Sequence, residues 1–139
     1  MRLEGLSDMQ NDLLRVAQRD LPREMPKVMR KVGSKARTKV AKKARSLVKK
    51  KTGLYHKKWK RGKVFRGSNG EWVVRVVNSS PHAHLIEDGH RQVTEDGQVI
   101  GFVSGKKPLD KGMREFEASG ETEEIIGDWI DRLLRDARL

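Results

Sequence analysis

From residue 28 to residue 48, Val28, Val32, Ala36, Val40, Ala44 and Leu47/Val48 recur every three or four positions, with Lys and Arg on almost every position between them. That spacing predicts an amphipathic helix from about Lys27 to Lys51. Its apolar stripe is narrow and built of small side chains, so one side should pack on a sheet while a broad basic side faces outward. Gly33 is its weak point, Lys49, Lys50 and Lys51 suit the negative end of the helix dipole, and Gly53 supplies a stop. A shorter helical pattern precedes it: Ser7 or Asp8 as N-cap, then Met9, Leu13 and Val16 on one face with Leu14 and Ala17 beside them, ended by Pro22 and Pro26. At the other end Pro108 opens a helix with Leu109, Met113 and Phe116 in line, and Gly120 interrupts it. Ile125, Ile126, Trp129, Ile130, Leu133 and Leu134 then give the strongest amphipathic pattern in the chain, with Glu121, Glu123 and Glu124 in its first turn.

Between these helices the pattern is that of strands. Residues 57–66 and 71–78 flank Gly67-Ser68-Asn69-Gly70 and predict a hairpin, with the second strand apolar on both faces and therefore central. Residues 90–94 and 98–103 flank Glu95-Asp96-Gly97 and predict a second hairpin, Asp-Gly suiting a type I′ turn. Ser80 as N-cap, Pro81 at the first helical position and Gly89 just past the end predict a short helical turn over 81–88. The fold class expected is α+β: an antiparallel sheet of about four strands in two hairpins, with a long basic N-terminal helix and a C-terminal amphipathic helix packed on one face. Residues 1–26 are expected to form a helical arm and residues 27–139 a single domain.

Composition sharpens this in one respect. The chain has 139 residues, 35% of them hydrophobic and 36% charged, no cysteine, and net charge +12. One modest core is expected, with no disulfide framework or thiolate chemistry, no exported leader and no spanning segment. The charge is segregated: residues 1–69 carry 22 Lys/Arg against 5 Asp/Glu, residues 70–139 carry 9 against 14, and residues 27–66 hold 18 basic residues and no acidic one. Such a block is a footprint for a polyanion, either nucleic acid or an acidic protein surface, and Lys35, Lys39, Lys42, Lys43, Lys49, Lys50, Lys57, Lys58, Lys60 and Arg61 are its candidate contacts.

Chemistry concentrates in PHAHLIEDGH, residues 81–90, which holds three of the four histidines. His84, Glu87 and Asp88 can converge on a helix, with His90 as a further metal ligand; but two histidines one residue apart point to different helix faces, so a structural corner is the favoured reading. A small ribonuclease-like toxin would use His56, Lys57, Lys58 and Arg61, yet no nucleophile constellation, phosphate-binding glycine loop or carboxylate pair accompanies them. Trp59, Phe65 and Trp72 among lysines resemble a base-stacking platform. Trp59 and Phe65, six apart, also share a strand face, which suits a core equally.

Thr52-Gly53-Leu54 followed by basic residues and Trp59, a β-hairpin, Asn78 to His90 with Ala83-His-Leu-Ile-Glu-Asp-Gly-His90 at its centre, and Lys107-Pro108-Leu109 opening the terminal helix resemble the small tail-completion or head-tail joining proteins of long-tailed bacteriophages and prophages. Asp88 stands where that family commonly has an aromatic. The resemblance implies a structural virion protein without enzymatic activity or cofactor. It implies a ring, of six copies, in the neck between the capsid connector or stopper and the tail terminator or tail tube, with assembly in the host cytoplasm. It also implies that Glu87 and Gly89 are structural and that His84 and His90 lie at a subunit contact; Asp88, Arg91 and Trp129 are further interface candidates. A basic first half and an acidic second half are suited to head-to-tail docking of copies, and lysines in the lumen to nonspecific contact with double-stranded DNA.

Overall fold

The computed structural model describes residues 3–49 and 53–137, with side chains from residue 8 onward. Lys50, Lys51 and Thr52, and the side chain of Ser7, therefore lie outside the described residues. The backbone is helical from α1 (Leu3–Arg15) through a π turn (Val16–Asp20) into α2 (Leu21–Leu47), so Ser7 and Asp8 sit inside a helix rather than at its cap. The prolines do not break it. In the π turn the Leu21 N–H donates to Val16 O, five residues back, and this wider turn ends just before Pro22, whose missing N–H falls in the first turn of α2. Pro26 costs α2 one further bond, while Met25 and Val28 beside it are held by packing. At the far end α2 stops at Leu47, short of Lys51. Val48 turns extended (φ −115°, ψ 124°) and its carbonyl is met by His56 Nε2 at 3.1 Å.

Both predicted hairpins form. A 3₁₀ turn (Tyr55–Lys57) leads into β1 (Trp59–Arg61) and β2 (Phe65–Arg66), which pair antiparallel with β4 (Val76–Asn78) and β3 (Trp72–Val73). Trp59 faces Asn78 and Arg61 faces Val76, and the Gly62 N–H continues that register to Arg75 O, but Phe65 faces Val73. Lys63 and Val64 therefore oppose Val74 alone, a bulge that moves every later residue to the other face. This is why Trp59 is buried (5% exposed) while Phe65 is 38% exposed, against the expectation that they share a face. After α3 (Ala83–Asp88), β5 (Gly89–Val93) pairs with β6 (Val99–Ser104). The two hairpins share a turn design: Gly70 N–H returns to Gly67 O and Gly97 N–H to Thr94 O, with φ of 79° and 84° at the two glycines. Asp96 has no positive φ, so the second turn is a type I turn closed by a left-handed glycine rather than the expected type I′.

The hairpins are not hydrogen-bonded to each other. Strand β3–β4 is paired on one edge rather than central; Val74 and Val76 face α2, and its second apolar set, Val73 and Val77, lies on the outer face, where Val77 is 42% exposed. α2 is the spine of the fold. Its inner face collects Val40, Ala41, Ala44 and Trp59 at one end, Val32, Ala36 and Phe116 in the middle, and Val28, Trp129 and Leu133 at the other. Against it pack α4 (Pro108–Ser119) and α5 (Glu121–Asp136), separated by Gly120 as the sequence predicts. Small residues permit close approach: a Cβ at Gly112 would lie 2.8 Å from Val40 Cα, and one at Gly33 would lie 2.6 Å from a Val74 methyl. Gly33 is thus a contact point with the first hairpin rather than a weakness.

Candidate functional site

The histidine-rich stretch folds into a corner where four elements meet. Asn78, ending β4, donates from Nδ2 to Tyr55 O (2.9 Å) and accepts at Oδ1 from Ser80 N–H (2.9 Å), which turns the chain toward α3. Glu87 on α3 then reaches across to α4. Its Oε1 accepts from Leu109 N–H at 2.8 Å and its Oε2 from Asp110 N–H at 3.2 Å, so one carboxylate caps the first turn of a helix 22 residues away in sequence. Gly89 leaves the corner at φ 85°, ψ −179°, a region open in practice only to glycine, and a Cβ there would sit 2.3 Å from Val103 O. Gly105 passes as close on the other side, its absent Cβ 2.2 Å from Glu87 O, and Lys106 N–H donates to Ile86 O (2.9 Å). The sequence motif Glu87-Asp88-Gly89 with Lys107-Pro108-Leu109 is therefore a lock between α3, the second hairpin and α4.

That geometry bears on the competing chemistry. Both oxygens of Glu87 are committed to backbone donors, His84, Asp88 and His90 are exposed around it, and among the described residues no three His, Asp or Glu side chains converge to hold a metal. Of the candidates for ribonuclease chemistry, His56 has its Nε2 bound to Val48 O at the end of α2. The stacking platform is not assembled either: Trp59 is buried edge-on to Tyr55, Phe65 carries the Arg75 guanidinium at 5.0 Å, and Arg66 covers Trp72 at 4.3 Å.

Tyr55 lies beside the corner, and its hydroxyl pKa is pushed up to about 12, by burial first and by the Glu87 charge second. Its protonated form is thus favoured in the folded state, a contribution to stability that is complete below pH ~10 and lost as pH rises through about 12. Because it is the sole tyrosine, absorbance at the tyrosinate band reports it alone. The folded chain should titrate late, Glu87→Gln should titrate earlier but still above the free value, and a wild-type titration at the free value would remove this placement.

The charge segregation of the sequence is not a segregation of the molecule into two ends, because α4 and α5, which carry nine of the 14 acids of residues 70–139, pack on α2. Lys43 Nζ meets Glu115 Oε1 at 2.5 Å, and this hydrogen bond, with the fields of Lys43, Lys39 and Lys42, lowers the Glu115 pKa. Lys39 and Lys43 are half-buried, whereas Lys35, Lys42 and Lys49 are exposed; Lys57 and Lys60 are exposed and Lys58 and Arg61 half-buried near the first hairpin. Trp129 is inside the subunit, 5% exposed, with Nε1 donating to Glu24 at 3.2 Å. Arg91 is exposed on β5.

One surface is missing from the sequence-based candidates. On the second hairpin Val93 (58%), Val99 (58%), Ile100 (68%), Phe102 (62%) and Val103 (37%) are all exposed. The signal was present in Val99-Ile100 and Phe102-Val103, since neighbouring residues on a strand point to opposite faces and both faces were apolar. α1 has a second uncovered set, Met9 (47%), Leu13 (44%) and Leu14 (52%).

The family described as "Bacteriophage HK97-gp10, putative tail-component" matches residues 7–89, from α1 to the Gly89 corner. Curated proteins and solved structures give no significant match.

Proposed function

The chain belongs to the HK97-gp10-like family of bacteriophage tail components, and from that premise we propose that it is a structural part of the virion neck, completing the tail as a ring of its own copies. The observation that carries this reading is the second hairpin. A two-stranded ribbon is marginal alone in water, and one with five exposed apolar side chains needs a cover. A ring is built from heterologous contacts, which use two different patches of each subunit. The hairpin is one such patch and the apolar face of α1 the other, with residues 1–26 acting as an arm and residues 27–139 as the ring domain. His84, Asp88, His90 and Arg91, exposed near the base of the hairpin, form the polar rim of that contact. The role is one of assembly, with no bond made or broken. A six-fold ring, contacts with connector or stopper on one side and tail terminator or tail tube on the other, and a passage through the host cytoplasm before assembly complete the proposal.

The test is native mass spectrometry at rising protein concentration, together with antibody labelling of purified particles. Discrete closed oligomers, or label confined to the head–tail junction, are the expected results. A chain that stays monomeric throughout and is missing from particles would overturn the proposal.

A further inference from the structure

We propose that the outer face of α2 is a phosphate-contacting surface for double-stranded DNA, read without regard to base sequence. Lys35, Lys42 and Arg45 follow one another at spacings of seven and three, which puts them on one line of the helix, and Lys49 adds a fourth cation just past the helix end. All four are exposed, and none is in an ion pair among the described residues. Lys35, Lys42 and Arg45 occupy the side of α2 opposite Val40, Gly33 and Ala44, and no acidic residue occurs between residues 27 and 66. From residue 35 to residue 45 the helix rises about 15 Å, so the cations stand on a rigid rod whose length spans about four phosphates of one strand. Toward the N-terminal end the character changes, since Lys27 and Lys31 have Glu24, Asp128, Asp131 and Asp136 nearby. The row beyond those acids therefore begins at Lys35, with Glu115 on the Lys43 side as its one acidic neighbour among the described residues.

Two features favour a nucleic acid over an acidic protein. Lysine is depleted in protein–protein interfaces and abundant where phosphates are bound. The row also offers no apolar anchor, and two of its hydroxyls are turned back on the helix: Thr38 Oγ1 donates to Ser34 O (3.0 Å) and Ser46 Oγ to Lys43 O (2.7 Å). What remains is charge alone, which holds a phosphate backbone but reads neither bases nor a particular protein surface.

This inference rests on α2 and not on ring formation. Binding of the full chain to a labelled duplex of about 30 base pairs is measured over a salt series, in wild type and in a variant with Lys35→Gln, Lys42→Gln, Arg45→Gln and Lys49→Gln. The wild type should bind duplexes of unrelated sequence equally. In the variant, the slope of log K against log salt should fall by about 3 to 4, since each lost phosphate contact removes about 0.9. A control with Lys106, Lys111, Arg132 and Arg135 changed to Gln should keep the wild-type slope. The wild type and a monomeric hairpin variant should show the same slope per chain, so failure of the ring leaves this result standing. No duplex binding at low salt, an unchanged slope in the α2 variant, an equal fall in the control, or tighter binding to poly-glutamate than to the duplex would each overturn it.

Discussion

Gly89→Ala should destabilise the fold by on the order of 3 kcal/mol and lower the thermal midpoint by roughly 10 °C. Two costs add. The backbone at φ 85°, ψ −179° is nearly closed to any residue with a Cβ. The new methyl would also meet Val103 O at 2.3 Å and Gly105 N at 2.7 Å, which are backbone atoms of β6 and of the crossing to α4 and cannot move without opening the corner. Gly97→Ala shares the positive φ (84°) but meets nothing within 4 Å, so it should lose the strain alone and fall less. Circular dichroism melts of the two variants check this, and equal midpoints for Gly89→Ala and wild type would refute the role given to the corner.

Much of this architecture was legible in the residues. Pro108, Gly120 and the stripe from Ile125 to Leu134 mark the terminal helices as they stand, and the Gly67–Gly70 and Glu95–Gly97 tracts mark both hairpins. Where the reading departed, a local backbone event had changed the count. A π turn let the helix pass Pro22, and the bulge at Lys63–Val64 put Phe65 on the face opposite Trp59. Neither leaves a period in the sequence. The corner was half legible: Gly89 as a helix end with positive φ follows from its type and place, whereas the caps by Glu87 on Leu109 and Asp110 depend on how α3 meets α4. Segregated charge was visible, but a linear count could not show that the acidic helices fold back onto the basic one, where Glu115 pairs with Lys43 while Lys35, Lys42, Arg45 and Lys49 stay exposed and outside any ion pair among the described residues.

The largest effect on assembly is expected from Ile100→Ser combined with Phe102→Ser. Both side chains are among the most exposed apolar groups of the subunit, at 68% and 62%, so replacing them should leave the monomer's melting point nearly unchanged. If the neighbouring copy covers them, each contributes about 2 kcal/mol of apolar burial per interface. Their joint loss should then weaken association by roughly a thousandfold. Sedimentation should show a folded monomer at concentrations where wild type is oligomeric. A variant that assembles like wild type would place the interface elsewhere, with α1 and its Met9, Leu13 and Leu14 the next surface to test.

Hydrogen exchange on the assembled protein and on the dilute monomer tests the central claim most directly, because it reads the second hairpin itself. Residues 89–104 should exchange quickly in the monomer and become strongly protected on assembly, while the amides of Leu109 and Asp110, already held by Glu87, should change little. A hairpin that exchanges equally fast in both states would contradict the claim that its apolar surface joins one copy to the next.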